Sequence, residues 1–191
     1  MNFNIILAFN FTDKFMQAAV DGTDYELVDP RNDTSVGKLN AREVYDTLVR
    51  QAWKNGDPGI IFLDRINRDN PTPALGAIES TNPCGEQPLL PLEACNLGSI
   101  NIAKFVLENG DGPMVDYESL KDIIELSVRF LDNTIEMSKY PLPEITEMVQ
   151  GNRKIGLGIM GFADLLYQLN IPYNSEAGLE TAESIMRIVQ E

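Results

Sequence analysis

The sequence predicts a mixed α/β fold, and three observations predict it. Short apolar runs bounded by glycine, proline or aspartate read as buried strands, as in Ile60-Ile61-Phe62-Leu63 after Gly56-Asp57-Pro58-Gly59. Between such runs lie longer stretches with apolar residues at helical spacing, Val44, Leu48 and Ala52 in one, Leu120, Ile124, Leu131 and Ile135 in another. Residues that cap helices stand where those stretches begin: Thr12, Asn40, Asp116 and Ser175.

Taken in order, residues 2–9 form an apolar run that reads as a buried strand. Thr12 then caps a short helix reaching Val20. Residues 22–37, with Asp29-Pro30 and Asn32-Asp33, read as a polar, exposed loop. Asn40 opens the next helix with Glu43 in capping-box spacing, and its apolar stripe through Trp53 reads as a core face. After the strand at 60–63, Asp64 and Arg65 read as an ion pair or loop cap, since no constellation of reactive groups adjoins them. Residues 67–73 read as loop. Residues 102–106 fit strand or helix equally, and 110–113 break the element.

Asp116 begins a long scaffold helix through Leu120, Ile124, Ser127, Leu131 and Ile135 that ends near Tyr140-Pro141. Pro141 and Pro143 introduce a short segment at 144–149. Residues 155–160 read as a strand with glycines where backbones approach, followed by a helix from Phe162. Ser175 caps a last helix carrying Leu179, Ala182, Met186 and Val189. No internal repeat or low-complexity tract interrupts this order, which reads as one domain.

Composition narrows the chemistry. The chain has 191 residues, 43% of them hydrophobic, enough for a sizeable core. Its net charge of −14 argues against a nucleic-acid groove or an anionic membrane surface. A small phosphate-bearing ligand is compatible, because backbone amides and helix N-termini bind phosphate without net positive charge. The absence of histidine leaves acid/base work to carboxylates and weakens any zinc-hydrolase reading. With two cysteines and no signal peptide or bilayer-length apolar run, a reducing cytoplasm is the expected compartment.

Chemistry concentrates in Ser80-Thr81-Asn82-Pro83-Cys84-Gly85-Glu86-Gln87-Pro88. Asn82, Cys84 and Glu86 place an amide, a thiol and a carboxylate at every second position. In an extended segment, such neighbours share a face about 6–7 Å apart. Pro83 and Gly85 equally suit a tight turn with no chemical role, and the residues by themselves leave both readings open. A carboxylate beside a thiol disfavours the thiolate. That pairing suits a thiol that reacts as neutral S–H by losing a hydrogen atom, with Glu86 as a separate base.

Cys84 and Cys95 with Glu86 and Glu93 make a poor metal set, because their spacing is not that of a finger and histidine is missing. Gly156-Leu157-Gly158-Ile159-Met160-Gly161 satisfies Gly-x-Gly-x-x-Gly literally, which raises an NAD(P)-dependent oxidoreductase as an alternative. The context weakens it: Gly151-Asn152-Arg153-Lys154 precedes the motif where an apolar strand should stand.

Residues 80–87, continuing through Leu89-Leu90-Pro91-Leu92-Glu93-Ala94-Cys95-Asn96-Leu97-Gly98-Ser99-Ile100-Asn101, resemble the catalytic finger loop of ribonucleotide reductase large subunits. The Asn-Pro-Cys-Gly-Glu form is most similar to the adenosylcobalamin-dependent class II enzymes, with class I second. Residues 56–64 and 153–166 agree with the same family, in family order. The resemblance implies part of a ten-stranded α/β barrel, with a finger loop at about residues 79–98 threaded through it. It implies Cys84 as a thiyl radical taking the ribose 3′ hydrogen, Glu86 as base for the 3′-hydroxyl and Asn82 as a substrate hydrogen-bonding group.

Cys95 would be one of two reducing cysteines, its partner lying outside this chain. A ribonucleoside di- or triphosphate substrate, adenosylcobalamin, a thioredoxin-type reductant and the remaining reductase segments would be the partners. The effector-binding and phosphate-binding segments of the family are not represented. An internal, by itself inactive piece is therefore expected, with a non-catalytic assembly fragment as a further alternative.

Overall fold

The computed structural model describes residues 8–110 and 112–191. The chain divides into two compact units, Met1–Pro91 and Leu92–Glu191. Most of the strand expected at 2–9 lies outside the described residues.

In the first unit, β1 (Ala8–Phe11) is followed by α1 (Asp13–Asp21), β2 (Asp24–Asp29), β3 (Thr34–Asn40), α2 (Ala41–Asn55), β4 (Gly59–Phe62), α3 (Leu63–Arg68), β5 (Ser80–Thr81) and β6 (Pro88–Leu89). Thr12 caps α1 by accepting the Phe15 N–H at 3.1 Å, and Asn40 caps α2 by accepting from Arg42 and Glu43 at 3.1 and 3.2 Å. β1 and β4 pair in parallel with Phe9 opposite Ile60 and Phe11 opposite Phe62, a pairing that needs a long crossover. The crossover is α1, the β2–β3 hairpin and α2. Phe11, Phe15, Ala19, Ala41 and Leu48 form the core beneath it, with the Phe11 and Phe15 rings stacked at 4.5 Å.

Three sequence expectations are corrected here. Residues 22–37 are largely the antiparallel hairpin β2–β3, with Asp24 opposite Asn40, and not a loop. Its inward residues, such as Tyr25 and Leu27, are only half-buried and alternate with charged ones, so the period-two signal is faint. The hairpin turn is tied by Arg31, which donates to both carboxylate oxygens of Asp29 at 2.9 and 2.6 Å and holds that carboxyl below its usual range. β4 is not fully buried either: Ile60 is 36% and Phe62 44% exposed, because β1 is its one neighbouring strand among the described residues. Trp53 is 89% exposed. It lies about 140° round the helix from Leu48 and so leaves the core stripe.

The second unit contains β7 (Asn96–Asn101), β8 (Val106–Asn109), β9 (Gly112–Val115), α4 (Tyr117–Met137), α5 (Pro143–Asn152), β10 (Ile155–Met160), α6 (Phe162–Gln168) and α7 (Glu176–Gln190). β7 and β10 pair in parallel from Asn96 opposite Ile155 to Asn101 opposite Met160, with α4 and α5 in the crossover. The ambiguous residues 102–106 resolve into a 3-10 turn, Ile102–Lys104, and the start of β8. Asp116 caps α4 through the Ser119 N–H, as its sequence position predicts.

Ile100, Ile102, Val115, Leu120, Ile124, Leu165, Leu166 and Ile185 make the core of this unit. On α7, however, Gly178 and Ile185 are buried while Leu179 and Met186 are exposed. Of the expected stripe, Val189 packs on the core and Ala182 is half-buried, while the face is centred on Gly178 and Ile185, small Gly178 permitting close approach to the Pro172–Tyr173 backbone.

Among the described residues the strands form five two-stranded sheets and no closed barrel. No helix of these residues is long and apolar enough to cross a membrane.

Candidate functional site

β5 and β6 make a short antiparallel hairpin, Ser80 opposite Leu89 and Thr81 opposite Pro88, with residues 82–87 at its tip. The Gly85 N–H donates to the Asn82 carbonyl at 3.0 Å, closing a β-turn over Asn82-Pro83-Cys84-Gly85. Pro83 presets the dihedral of the second turn position, and Gly85 takes φ 84°, a left-handed value that suits glycine. Asn82 Oδ1 accepts the Gln87 N–H at 2.9 Å, and the Asn82 N–H donates to the Gln87 carbonyl at 3.2 Å.

This corrects the extended geometry considered for Asn82, Cys84 and Glu86. Asn82 and Cys84 lie in a tight turn and Glu86 directly follows it, because the proline–glycine pair and the Asn82 side chain all favour turn dihedrals over strand ones. The structure still gathers them at one tip, with Asn82 half-buried and Cys84 and Glu86 exposed.

The base of the hairpin is held by a residue whose sequence context predicts a loop. Asn67, at the end of α3, donates from Nδ2 to the Ile78 carbonyl at 2.8 Å and accepts the Ile78 N–H on Oδ1 at 2.7 Å. Asn70 fastens the intervening segment through the Gly76 carbonyl and the Thr72 N–H, both at 2.9 Å. An asparagine amide can mimic a peptide group, but that use leaves no periodic pattern to read. Asp64 and Arg65 behave as their sequence context predicts. Asp64 Oδ2 accepts the Asp13 N–H at 2.7 Å, and Arg65 Nε lies 2.9 Å from Asp13 Oδ1.

Cys84 and Gly85 line a cavity of about 500 Å³ with Ile60, Phe62, Arg65 and Arg68 among its other walls. Cys84 thus borders a space whose walls are apolar, cationic at Arg65 and Arg68, and anionic at Asp69, next to the end of a parallel strand. A side chain built at Gly85 would meet nothing within 4 Å, so the tip is open to a bulky group. Arg68 is held in its charged form by a hydrogen bond from its guanidinium to Asp69.

Cys95 lies in the second unit, half-buried at the entry to β7. Two residues before it, the Glu93 side chain is fully buried. Its carboxylate accepts from Lys154 Nζ at 2.6 Å and from Asn152 Nδ2 at 2.8 Å. Glu93 is thus engaged by an ammonium and an amide, which is a different use from the metal ligation weighed from the sequence.

The glycine motif at 156–161 does not form a dinucleotide loop. Gly156 and Gly158 are inside β10, paired against Leu97 and Ser99. Gly161 caps a helix of only seven residues, and a Cβ there would run into the Asn101 side chain. A dinucleotide fingerprint places those glycines in a turn between strand and helix, and this segment does not.

The profile of the ribonucleotide reductase barrel domain matches residues 2–191. The vitamin B12-dependent ribonucleoside-diphosphate reductase of Thermoplasma acidophilum is 49% identical over 191 residues, covering 100% of this chain and 24% of that protein. The enzyme of the same description from Mycobacterium tuberculosis is 47% identical over 185 residues, 97% of this chain and 26% of that protein. The ribonucleoside-diphosphate reductase subunit alpha of Chlamydia pneumoniae is 33% identical over 156 residues, 80% of this chain and 15% of that protein. The chain spans about a quarter of the length of the first two.

Proposed function

We propose, from the premise that this chain belongs to the ribonucleotide reductase barrel-domain family, that it carries the radical-handling turn of a reductase converting ribonucleotides to deoxyribonucleotides. The observation that supports this most directly is the hairpin tip at which Cys84 borders a cavity, with Asn82 opening the same turn and Glu86 directly after it. Both units would belong to one catalytic domain, a part of the family's ten-stranded barrel completed by further segments. Trp53, Phe130 and Tyr167, at 89, 70 and 84% exposure, are apolar surfaces such segments would cover.

Each residue has a distinct task in this reading. Cys84, as a thiyl radical, takes the 3′ hydrogen of the ribose and later returns one. Glu86 accepts the 3′-hydroxyl proton, and the 2′-hydroxyl, protonated by a thiol of the reducing pair, leaves the carbon radical as water. Asn82 has its Oδ1 engaged by Gln87, which leaves the Nδ2 hydrogens to orient a substrate hydroxyl. Cys95 supplies one thiol of the pair whose oxidation to a disulfide provides the two electrons. Its partner thiol comes from outside this chain, and a thioredoxin-type dithiol restores the pair.

The relatives' vitamin B12 dependence points to adenosylcobalamin as the group that supplies the radical when bound. Fit can be judged at the thiol. Cys84 is exposed and Gly85 leaves its side of the tip unobstructed, which suits approach of a bulky cofactor. Within this chain the residue that would meet it is Cys84. A ribonucleoside diphosphate is the substrate level favoured by the relatives' description.

The test is reconstitution of a complete reductase containing these residues, with adenosylcobalamin and a dithiol, measuring deoxynucleotide formation. Turnover should require Cys84 and Glu86. Activity that survives Cys84→Ser would sink the reading.

A further inference from the structure

We propose that Glu93 and Lys154 are positioning residues for the Cys95 thiol, through a buried ion pair that staples together the starts of the two parallel strands β7 and β10. This rests on the reading that Cys95 exchanges electrons, and it adds residues that the catalytic turn does not contain.

The placement carries the inference. Lys154 directly precedes Ile155, the residue opposite Asn96 in the β7–β10 register. Glu93 precedes Asn96 by three positions and reaches back to Lys154 Nζ at 2.6 Å. Cys95 therefore sits in a short span fixed at both ends. On one side is the Glu93 carboxylate, also held by Asn152 at 2.8 Å. On the other is Asn96, whose Nδ2 donates to the Leu131 carbonyl at 3.2 Å on α4.

Energetics point the same way. The Glu93 side chain is 0% exposed and that of Lys154 15%, so both charges are largely removed from water. A pair of this kind is a poor source of net stability, since desolvation offsets most of the Coulomb attraction and apolar replacements serve as well or better. Its directional demands are strict, however, and that makes it suited to fixing geometry. A thiol that must form a disulfide needs such geometry, because the bond tolerates only about 4.4–6.8 Å between Cα atoms. Fixing the β7 entry limits how far the Cys95 backbone can shift.

The experiment uses this chain in a Cys84→Ser background, where Cys95 is the one remaining thiol. Its alkylation rate by iodoacetamide is measured under native conditions. Lys154→Gln should raise the rate by about tenfold, and Asn152→Ala by a smaller factor, of about threefold, as loosening of the half-buried β7 entry gives the reagent access to the thiol. Lys154→Arg, which keeps the charge, should restore the parent rate. Asn152→Ala removes only a neutral bond and decides the question if Lys154→Gln fails to fold.

Rates in the folded variants that match the parent overturn the proposal. Cys95→Ser in the reconstituted reductase tests the redox reading separately: undiminished dithiol-driven turnover would remove that role while leaving the thiol measurement intact.

Discussion

Asn67 brackets the Ile78 peptide with both ends of its side-chain amide, donating at 2.8 Å and accepting at 2.7 Å. Ile78 is 3% exposed and stands two residues before β5, so this clamp sets where the β5–β6 hairpin leaves the body of its unit. Asn67→Ala should cost about 1–3 kcal/mol, the penalty for leaving partly buried backbone groups unpaired. Urea unfolding of the variant checks the magnitude. A midpoint equal to the parent's would show that water replaces the amide there.

Cys84 is exposed at the hairpin tip and packs against little. Cys84→Ser should therefore leave stability within about 0.5 kcal/mol of the parent, as for most exposed substitutions. The same change should abolish deoxynucleotide formation in the reconstituted enzyme. Calorimetry and a product assay on one preparation separate the two effects.

Gly161 has φ 76°, and the Asn101 side chain occupies the space a Cβ would need. Gly161→Ala should destabilise the chain by about 1–3 kcal/mol through backbone strain and displacement of that side chain. Thermal melting provides the measurement. Fluorescence titration with NADH should show no binding to either protein, since Gly156 and Gly158 are paired inside β10 and Gly161 caps a short helix.

Arg153 donates to Asp132 Oδ1 at 2.8 Å and also binds Glu136. The hydrogen bond from Arg153 holds the Asp132 carboxyl below its usual value, with Coulomb attraction adding to it against some desolvation. A carboxyl depressed in the folded state contributes stability above its unfolded pKa, about 3.9, and loses it as pH falls through the folded value. Asp132→Asn should thus lower stability at neutral pH, and the difference from the parent should shrink below about pH 4. Denaturation curves across that range provide the check; a gap independent of pH would assign the effect to packing.

Helix starts were the most legible feature of the sequence. Thr12, Asn40, Asp116 and Ser175 all cap helices in the structure, because a capping side chain bonds the backbone two or three residues away. The strand character of residues 155–160 was equally plain from a local apolar run. The hairpin β2–β3 was not, since its pairing partner lies across a turn and its inward residues are only half-buried. The face of α7 was legible only in part: Val189 packs on the core, while small Gly178 and not Leu179 is buried.

At the candidate site, the sequence by itself determined which groups are available: an amide, a thiol and a carboxylate within five residues, with proline and glycine between them. Their family resemblance followed from the same residues in order. Tertiary structure decided how they are held. The tip is a closed turn and not an extended run, Asn67 supports its base, and Glu93 is committed to Lys154. These are bonds between residues 11 and 61 positions apart in the latter two cases. A side-chain amide or carboxylate carries no mark of a distant partner, because the partner is chosen by burial and register that exist only once the strands have paired.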